Sequence, residues 1–200
     1  MVTSSIEGEG KSLIALNLAL TFALTGKKIA IVELDINNPN ISNKLNIKAA
    51  YGIADFLDGK CDIKQVLYPY EKSGNLFVIP SGKQEENVFS ELLENGRINE
   101  LMNYLEASFD YIIIDTAPAN AITDAYVLSS RCDVTLYVVR HNHTPKILIE
   151  RLDHGQQLKN IMIVFNDIRQ RGFGKYHFGT GYGYGYGYNA KKIKKEIANA

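Results

Sequence analysis

Glycines at positions 8 and 10, followed directly by Lys11-Ser12 and then by a helical stretch to Thr25, constrain this chain more than any other feature. Ser5-Ile6-Glu7-Gly8-Glu9-Gly10-Lys11-Ser12 follows the pattern G-x-x-x-x-G-K-[ST], with Ser5 in place of the first glycine. Glycine lets consecutive backbone N–H groups turn inward as an anion-binding nest. A helix starting immediately behind the nest adds the positive end of its dipole. Such a loop hangs from a strand and opens a helix, so the chain is committed to an α/β arrangement. In this setting the backbone of Glu7, Gly8, Glu9, Gly10, Lys11, Ser12 and Leu13 is expected to bind the phosphates of a nucleotide. Lys11 would supply a point charge at the β/γ-phosphates, and the Ser12 hydroxyl would ligate Mg²⁺.

The remainder of the chain fits a P-loop NTPase, an α/β fold with a mostly parallel central sheet and helices on both faces. Short apolar runs alternate with helical stretches. Strands are expected at Lys28–Glu33, Asn75–Pro80, Tyr111–Asp115, Val134–Arg140 and Ile161–Asn166, and their Ile/Val/Leu density without strict alternation predicts burial on both faces. Helices are expected at Lys11–Thr25, Ile53–Leu57, Val88–Leu93, Arg97–Ser108, Ala121–Ser130 and Pro145–Leu158. Gly26 suits a left-handed helix terminator, and Thr144-Pro145 suits an N-cap followed by a first helical residue. The P-loop domain is expected over residues 1–168. Its first strand is short in this sequence, and Met1 reads as an internal residue of a longer polypeptide.

A phosphate loop needs acidic partners at the carboxyl ends of neighbouring strands. Two of the expected strands end in acids. Ile29–Val32 runs into Glu33-Leu34-Asp35, and alternation would put both carboxylates on one side if the strand continued that far. Tyr111–Ile114 runs into Asp115, a Walker B pattern whose carboxylate would orient Mg²⁺. Asp35-Ile36-Asn37-Asn38-Pro39 also reads as a turn.

Composition changes near Arg169. Residues 169–200 hold seven Lys/Arg against one acid, and five of the chain's 12 tyrosines: Tyr176, Tyr182, Tyr184, Tyr186 and Tyr188. The Gly-Tyr alternation from Gly181 to Tyr188 makes an ordered strand entropically expensive, so this segment is expected to be a flexible basic tail. Over the whole chain Lys+Arg and Asp+Glu are 22 each, which argues against nucleic acid as a partner. Cys61 and Cys132 lie far apart and suit separate thiols in a reducing compartment. His141, His143, His154 and His177 have no zinc-site spacing and read as surface or loop histidines. No apolar run is long enough to span a membrane, and no signal peptide opens the sequence.

Together these motifs resemble the bacterial tyrosine autokinases of capsule and exopolysaccharide export. The resemblance is carried by Val2-Thr3-Ser4-Ser5 leading into Gly8-Glu9-Gly10-Lys11-Ser12, by Glu33-x-Asp35-x-x-x-Pro39, and by Tyr111-x-x-x-Asp115-Thr116-x-Pro118. Gly52–Leu57, Ile79–Gly82, Thr123–Ala125, Val138–Arg140 and the tyrosine-rich C-terminus add to it. It implies ATP- and Mg²⁺-dependent phosphorylation of protein tyrosines, with the tail of one subunit entering the active site of another. By the same resemblance Lys11, Glu33, Asp35 and Asp115 are catalytic, and Ser12, Asp115 and Glu33 hold the metal. Asn166 contacts the base, and Tyr176, Tyr182, Tyr184, Tyr186 and Tyr188 accept phosphate. Asp35 is the choice for the group that receives the phenol proton.

The implied partners are other copies of the chain, a membrane polysaccharide co-polymerase or activator domain, and protein tyrosine substrates. The implied location is cytoplasmic, at the inner face of the bacterial plasma membrane through a fused or partner membrane domain. Self-association in that family often gives a ring, but the family's ring contacts upstream of the loop have no counterpart in this sequence. Two further departures are Glu33 where the family has Asp, and Asn37 where it has Arg. Two rival readings share the loop. One is a partitioning-type P-loop ATPase, which would carry a lysine at the place of Ile6. The other is a nucleotide-binding regulatory module of polysaccharide assembly with weak catalysis.

Overall fold

The computed structural model describes residues 1–168 apart from 83–88, 90, 94–95, 120–123 and 156–157. The five tail tyrosines and the rest of segment 169–200 lie outside the described residues. So do parts of the helices expected at Val88–Leu93 and Ala121–Ser130, and the side chain of His154.

The strands are β1 (Val2–Ser4), β2 (Ile29–Glu33), β3 (Tyr68–Pro69), β4 (Leu76–Ile79), β5 (Tyr111–Asp115), β6 (Thr135–Arg140) and β7 (Ile161–Asn166). They form one sheet in the order β3-β4-β2-β5-β1-β6-β7. Every pairing is parallel except that of β3 with β4. The named helices are α1 (Lys11–Leu24), α2 (Asn40–Lys44), α3 (Ile53–Leu57), α4 (Arg97–Ser108), α5 (Asp124–Ser129) and α6 (Lys146–Gly155). Gly26 follows α1 with φ 81°, and its N–H bonds the Ala23 carbonyl. Left-handed backbone of this kind is what a glycine supplies at a helix end.

Alternation along the strands sorts the core into two layers. Ile29 and Ile31 of β2, Ile113 of β5 and Val138 of β6 pack with the small face of α1, formed by Ala15, Ala19 and Ala23. Ala30, Val32, Ile114, Tyr137 and Val139 pack on the opposite face with Ile53 and Phe56 of α3 and Leu101, Met102 and Leu105 of α4. By the same parity the end residues Glu33 and Asp115, paired across β2 and β5, fall on the α1 face. The phosphate loop emerges from β1, between β5 and β6, at the carboxyl edge where open α/β sheets bind ligands.

Several expectations are corrected. β7 is an edge strand and is not buried on both faces: Met162 and Phe165 are 58% and 59% exposed. The strand β2 stops at Glu33, so Asp35 takes its position from the loop that follows. Thr144 does not cap a helix. Its hydroxyl accepts the Arg140 amide and donates to the Glu9 carboxylate, and α6 begins one residue after Pro145.

Candidate active site

The loop's glycines are in the conformations their residue type permits: φ is 76° at Gly8 and 100° at Gly10. Gly10 sits at the N-cap of α1, where a Cβ would lie 2.2 Å from Asn166 Nδ2. The loop's carbonyl groups are held by side chains from the ends of β6 and β7. His143 Nε2 lies 2.9 Å from the Glu7 carbonyl, Arg140 Nη1 donates to Gly8 O at 2.8 Å, and Asn166 Nδ2 donates to Glu9 O at 2.8 Å. Glu9 folds its fully buried carboxylate back, accepting the Ile6 amide and the Thr144 hydroxyl. Ser5, in the first-glycine position, shares a 2.9 Å hydrogen bond with the buried Tyr137 hydroxyl. Leu13, by contrast, leaves its side chain half exposed on α1.

Behind the loop, Lys11 and Ser12 are both buried. Lys11 Nζ is 4.0 Å from Asp35 Oδ2, while Asp35 Oδ1 accepts the Asn38 amide at 3.1 Å. Asp35 is thus both a turn former and the partner of the loop lysine. Burial raises its pKa, and the Lys11 ammonium opposes that shift. Asp115 is fully buried, and among the described residues neither of its carboxylate oxygens has a hydrogen-bond partner in good geometry. Burial pushes its pKa up to about 7, against the pull of the nearby Ser12 hydroxyl and Lys11 ammonium. A buried carboxylate with no partner is expensive unless a cation arrives.

Glu33 stands apart from the other two acids. Its Oε1 accepts the Ile41 amide at 2.6 Å, and its Oε2 accepts the Ser42 hydroxyl at 2.7 Å. These are groups of the first turn of α2, whose amides need acceptors that the helix cannot supply. Burial raises the Glu33 pKa, and the Ser42 hydroxyl and the two amides resist it. Both Glu33 oxygens are thus engaged by the start of α2, which the extra methylene over Asp helps the carboxylate to reach. Asn166 donates from Nδ2 to the Glu9 carbonyl and accepts the Asp167 amide at Oδ1, so its side chain braces the loop.

Two ligands fit this arrangement. The inward-turned loop with Lys11 suits phosphates. Ser12 and Asp115 suit Mg²⁺, which takes one or two protein oxygens and fills its octahedron with water and phosphate. The described residues contain no cluster of three His, Cys, Asp or Glu side chains placed to cage a metal by themselves. The sequence reading missed Arg140, His143 and Thr144 at the loop. They follow β6, next to β1, and the rule that strand ends beside the loop build the site would have found them.

The fold and the loop define a P-loop nucleotide-binding protein of the NTPase class, and a family model described as an AAA domain matches residues 2–152. Among curated relatives, tyrosine-protein kinase CpsD of Streptococcus pneumoniae is 32% identical over 185 residues, covering 88% of this chain and 80% of that protein. Tyrosine-protein kinase YwqD of Bacillus subtilis is 32% identical over 146 residues, covering 73% and 61%. The solved kinase domain of Escherichia coli tyrosine kinase ETK superposes with a TM-score of 0.78 at 26% identity, covering 91% of this chain and 72% of that one. The cell division protein MinD of Aquifex aeolicus shares the fold, with a TM-score of 0.66 at 22% identity. The chain belongs to the family of bacterial tyrosine-protein kinases.

Proposed function

We propose that this chain is an ATP- and Mg²⁺-dependent protein-tyrosine kinase domain that phosphorylates the tyrosine cluster of a neighbouring copy. The observation that carries the reading is the fully buried Asp115 carboxylate, with the Ser12 hydroxyl and the Lys11–Asp35 pair near it. Lys11 and the loop amides would hold the β/γ-phosphates, and Ser12 and Asp115 would hold the metal. Mg²⁺ supplies neutralisation of the charge that develops on the transferring phosphoryl group. Asp35 would receive the proton of the attacking phenol. Tyrosine has a pKa of about 10 and is protonated at neutral pH, so it needs an acceptor. A carboxylate with a raised pKa is better matched to that task than an ordinary surface acid.

The acceptors in this reading are Tyr176, Tyr182, Tyr184, Tyr186 and Tyr188, on a basic tail that follows the kinase domain of residues 1–168. The relatives are tyrosine-protein kinases, and one is described as lying in a cps region, which supports a role in capsular or exopolysaccharide assembly. A membrane co-polymerase or activator domain would then bring the kinase to the inner face of the membrane. No helix among the described residues is long and apolar enough to cross a membrane.

Incubation with Mg·ATP and phosphosite mapping by mass spectrometry tests this reading, with Lys11→Met as control. Phosphate on Tyr182–Tyr188 that disappears in the variant is the expected result. ATP hydrolysis without phosphotyrosine would instead favour an ATPase of the MinD type. Nucleotide binding alone would favour a regulatory module.

A further inference from the structure

Three consecutive carbonyl groups of the phosphate loop are each engaged by a different side chain, and all three side chains come from beyond residue 139. Glu7 O meets His143 Nε2, Gly8 O meets Arg140 Nη1, and Glu9 O meets Asn166 Nδ2, at 2.8–2.9 Å. An anion nest works only while its amides point inward and its carbonyls outward. Gly8 and Gly10 give the loop the freedom to adopt this arrangement, and the same freedom lets it leave. Something else has to hold it.

Two of the three donors are themselves held. Arg140 Nε and Nη2 both reach Asp167 Oδ2, at 3.2 and 3.1 Å. Asp167 has φ 54°, a left-handed conformation that Asp and Asn tolerate better than other side chains. Its amide donates to Asn166 Oδ1, which turns the Asn166 NH₂ group toward the loop. Room for the Asn166 contact depends on Gly10, where a Cβ would lie 2.2 Å from Asn166 Nδ2.

We propose that Arg140, His143 and Asn166, with Asp167 behind them, form a strap that holds the phosphate loop in its anion-binding conformation. They are positioning residues: they act on the nucleotide through the loop. The proposal rests on nucleotide binding at this loop, so its test separates the two. Fluorescent ADP is titrated into wild-type protein and into Arg140→Ala, Asp167→Asn, His143→Ala, His143→Gln and Asn166→Ala, with thermal melts in parallel. Arg140→Ala, His143→Ala and Asn166→Ala are each expected to weaken binding about 3–10-fold, the range for one net hydrogen bond. The KM for ATP should rise by a similar factor while the KM for a tyrosine peptide stays put.

Asp167→Asn keeps the backbone conformation and removes the charge that aims Arg140, so it should reproduce part of the Arg140→Ala loss. The double variant should be no worse than Arg140→Ala alone, because the two side chains act in series. His143→Gln, which can still donate to the Glu7 carbonyl, should recover the affinity lost in His143→Ala. Should Arg140→Ala not fold, Asp167→Asn and the His143 pair decide the matter. Wild-type affinity in the alanine variants, or losses that merely track melting temperature, would overturn the strap while leaving nucleotide binding intact. Failure of the wild-type protein to bind labelled ADP would remove the nucleotide reading and the strap with it.

Discussion

Asp115 is held where a charge gains least and water cannot reach. Among the described residues neither oxygen has a hydrogen-bond partner in good geometry, and burial lifts its pKa to about 7. A carboxyl group whose folded pKa is raised contributes stability at low pH, and that contribution is lost as pH rises from the ordinary carboxyl range toward the folded value. Asp35 and Glu33 shift in the same direction. Metal-free protein should therefore melt at a lower temperature at pH 8 than at pH 5.5, and Asp115→Asn should flatten that difference. At pH 8 the variant is expected to melt higher than wild type, by about 2–4 °C for each kcal/mol recovered. Its kinase activity should nevertheless be lost, because the metal-side carboxylate is gone. A variant that melts lower at pH 8 would show that Asp115 is not an unfavourable charge. The other two acids divide by what they touch. Glu33→Gln can still accept amides from α2 and should keep activity within about threefold, whereas a metal ligand could not be replaced so lightly. Asp35→Asn removes the proton acceptor and should lower kcat about 10²–10⁴-fold, measured on a tyrosine peptide.

The elements around the site are joined at their ends more than along their lengths. α3 is five residues long and is fixed through its first turn, where Ile53 N donates to Pro80 O at 2.8 Å and Ala54 N to Ser81 O at 3.0 Å. The loop after β4 approaches so closely that a Cβ on Gly52 would lie 2.2 Å from Gly82 N and 2.4 Å from Gly82 Cα. Backbone cannot yield as a side chain can. Gly52→Ala is therefore expected to cost about 1–3 kcal/mol, read as a fall in melting temperature, even though its φ of −125° suits any residue. A melt unchanged from wild type would mean that the junction is softer than its geometry. The longer elements were legible in the sequence because their signal is local: apolar density marked β2, β5, β6 and β7, and the glycine loop marked α1. β3 is two residues and carries a proline at the sheet's edge, so no periodicity exists to be read. The helix α2 is held by the Glu33 carboxylate, a long-range contact that no local pattern around residues 40–44 announces. The strap on the phosphate loop was illegible for a third reason: its residues lie 132 positions or more from the carbonyls they hold, and only the placement of β1 between β5 and β6 brings them near.

Bulk neutrality conceals a division of charge along the chain. Residues 1–168 hold 15 Lys/Arg against 21 Asp/Glu, and residues 169–200 hold seven against one, so formal charges of −6 and +6 cancel. Opposite charges on two parts of one polypeptide favour association between copies as readily as within one. That attraction fades with salt, because the screening length shrinks from about 10 Å at 0.1 M to about 3 Å at 1 M. Phosphorylation acts on the same balance. Each phosphotyrosine adds about −1.5 to −2 charges, so about three to four of them cancel the positive charge of the C-terminal segment and a fifth reverses it. Lys11→Met, which cannot phosphorylate itself in this reading, should therefore self-associate more at low salt than wild-type protein incubated with Mg·ATP. Sedimentation velocity at about 50 mM and 500 mM NaCl tests this, because like-charge repulsion is felt only where the screening length is long. The two proteins should differ at the lower salt and converge at the higher. Identical sedimentation at low salt, with the tyrosines shown by mass to be phosphorylated, would mean that charge on this segment does not govern assembly, and that the tyrosine cluster serves recognition by some other contact.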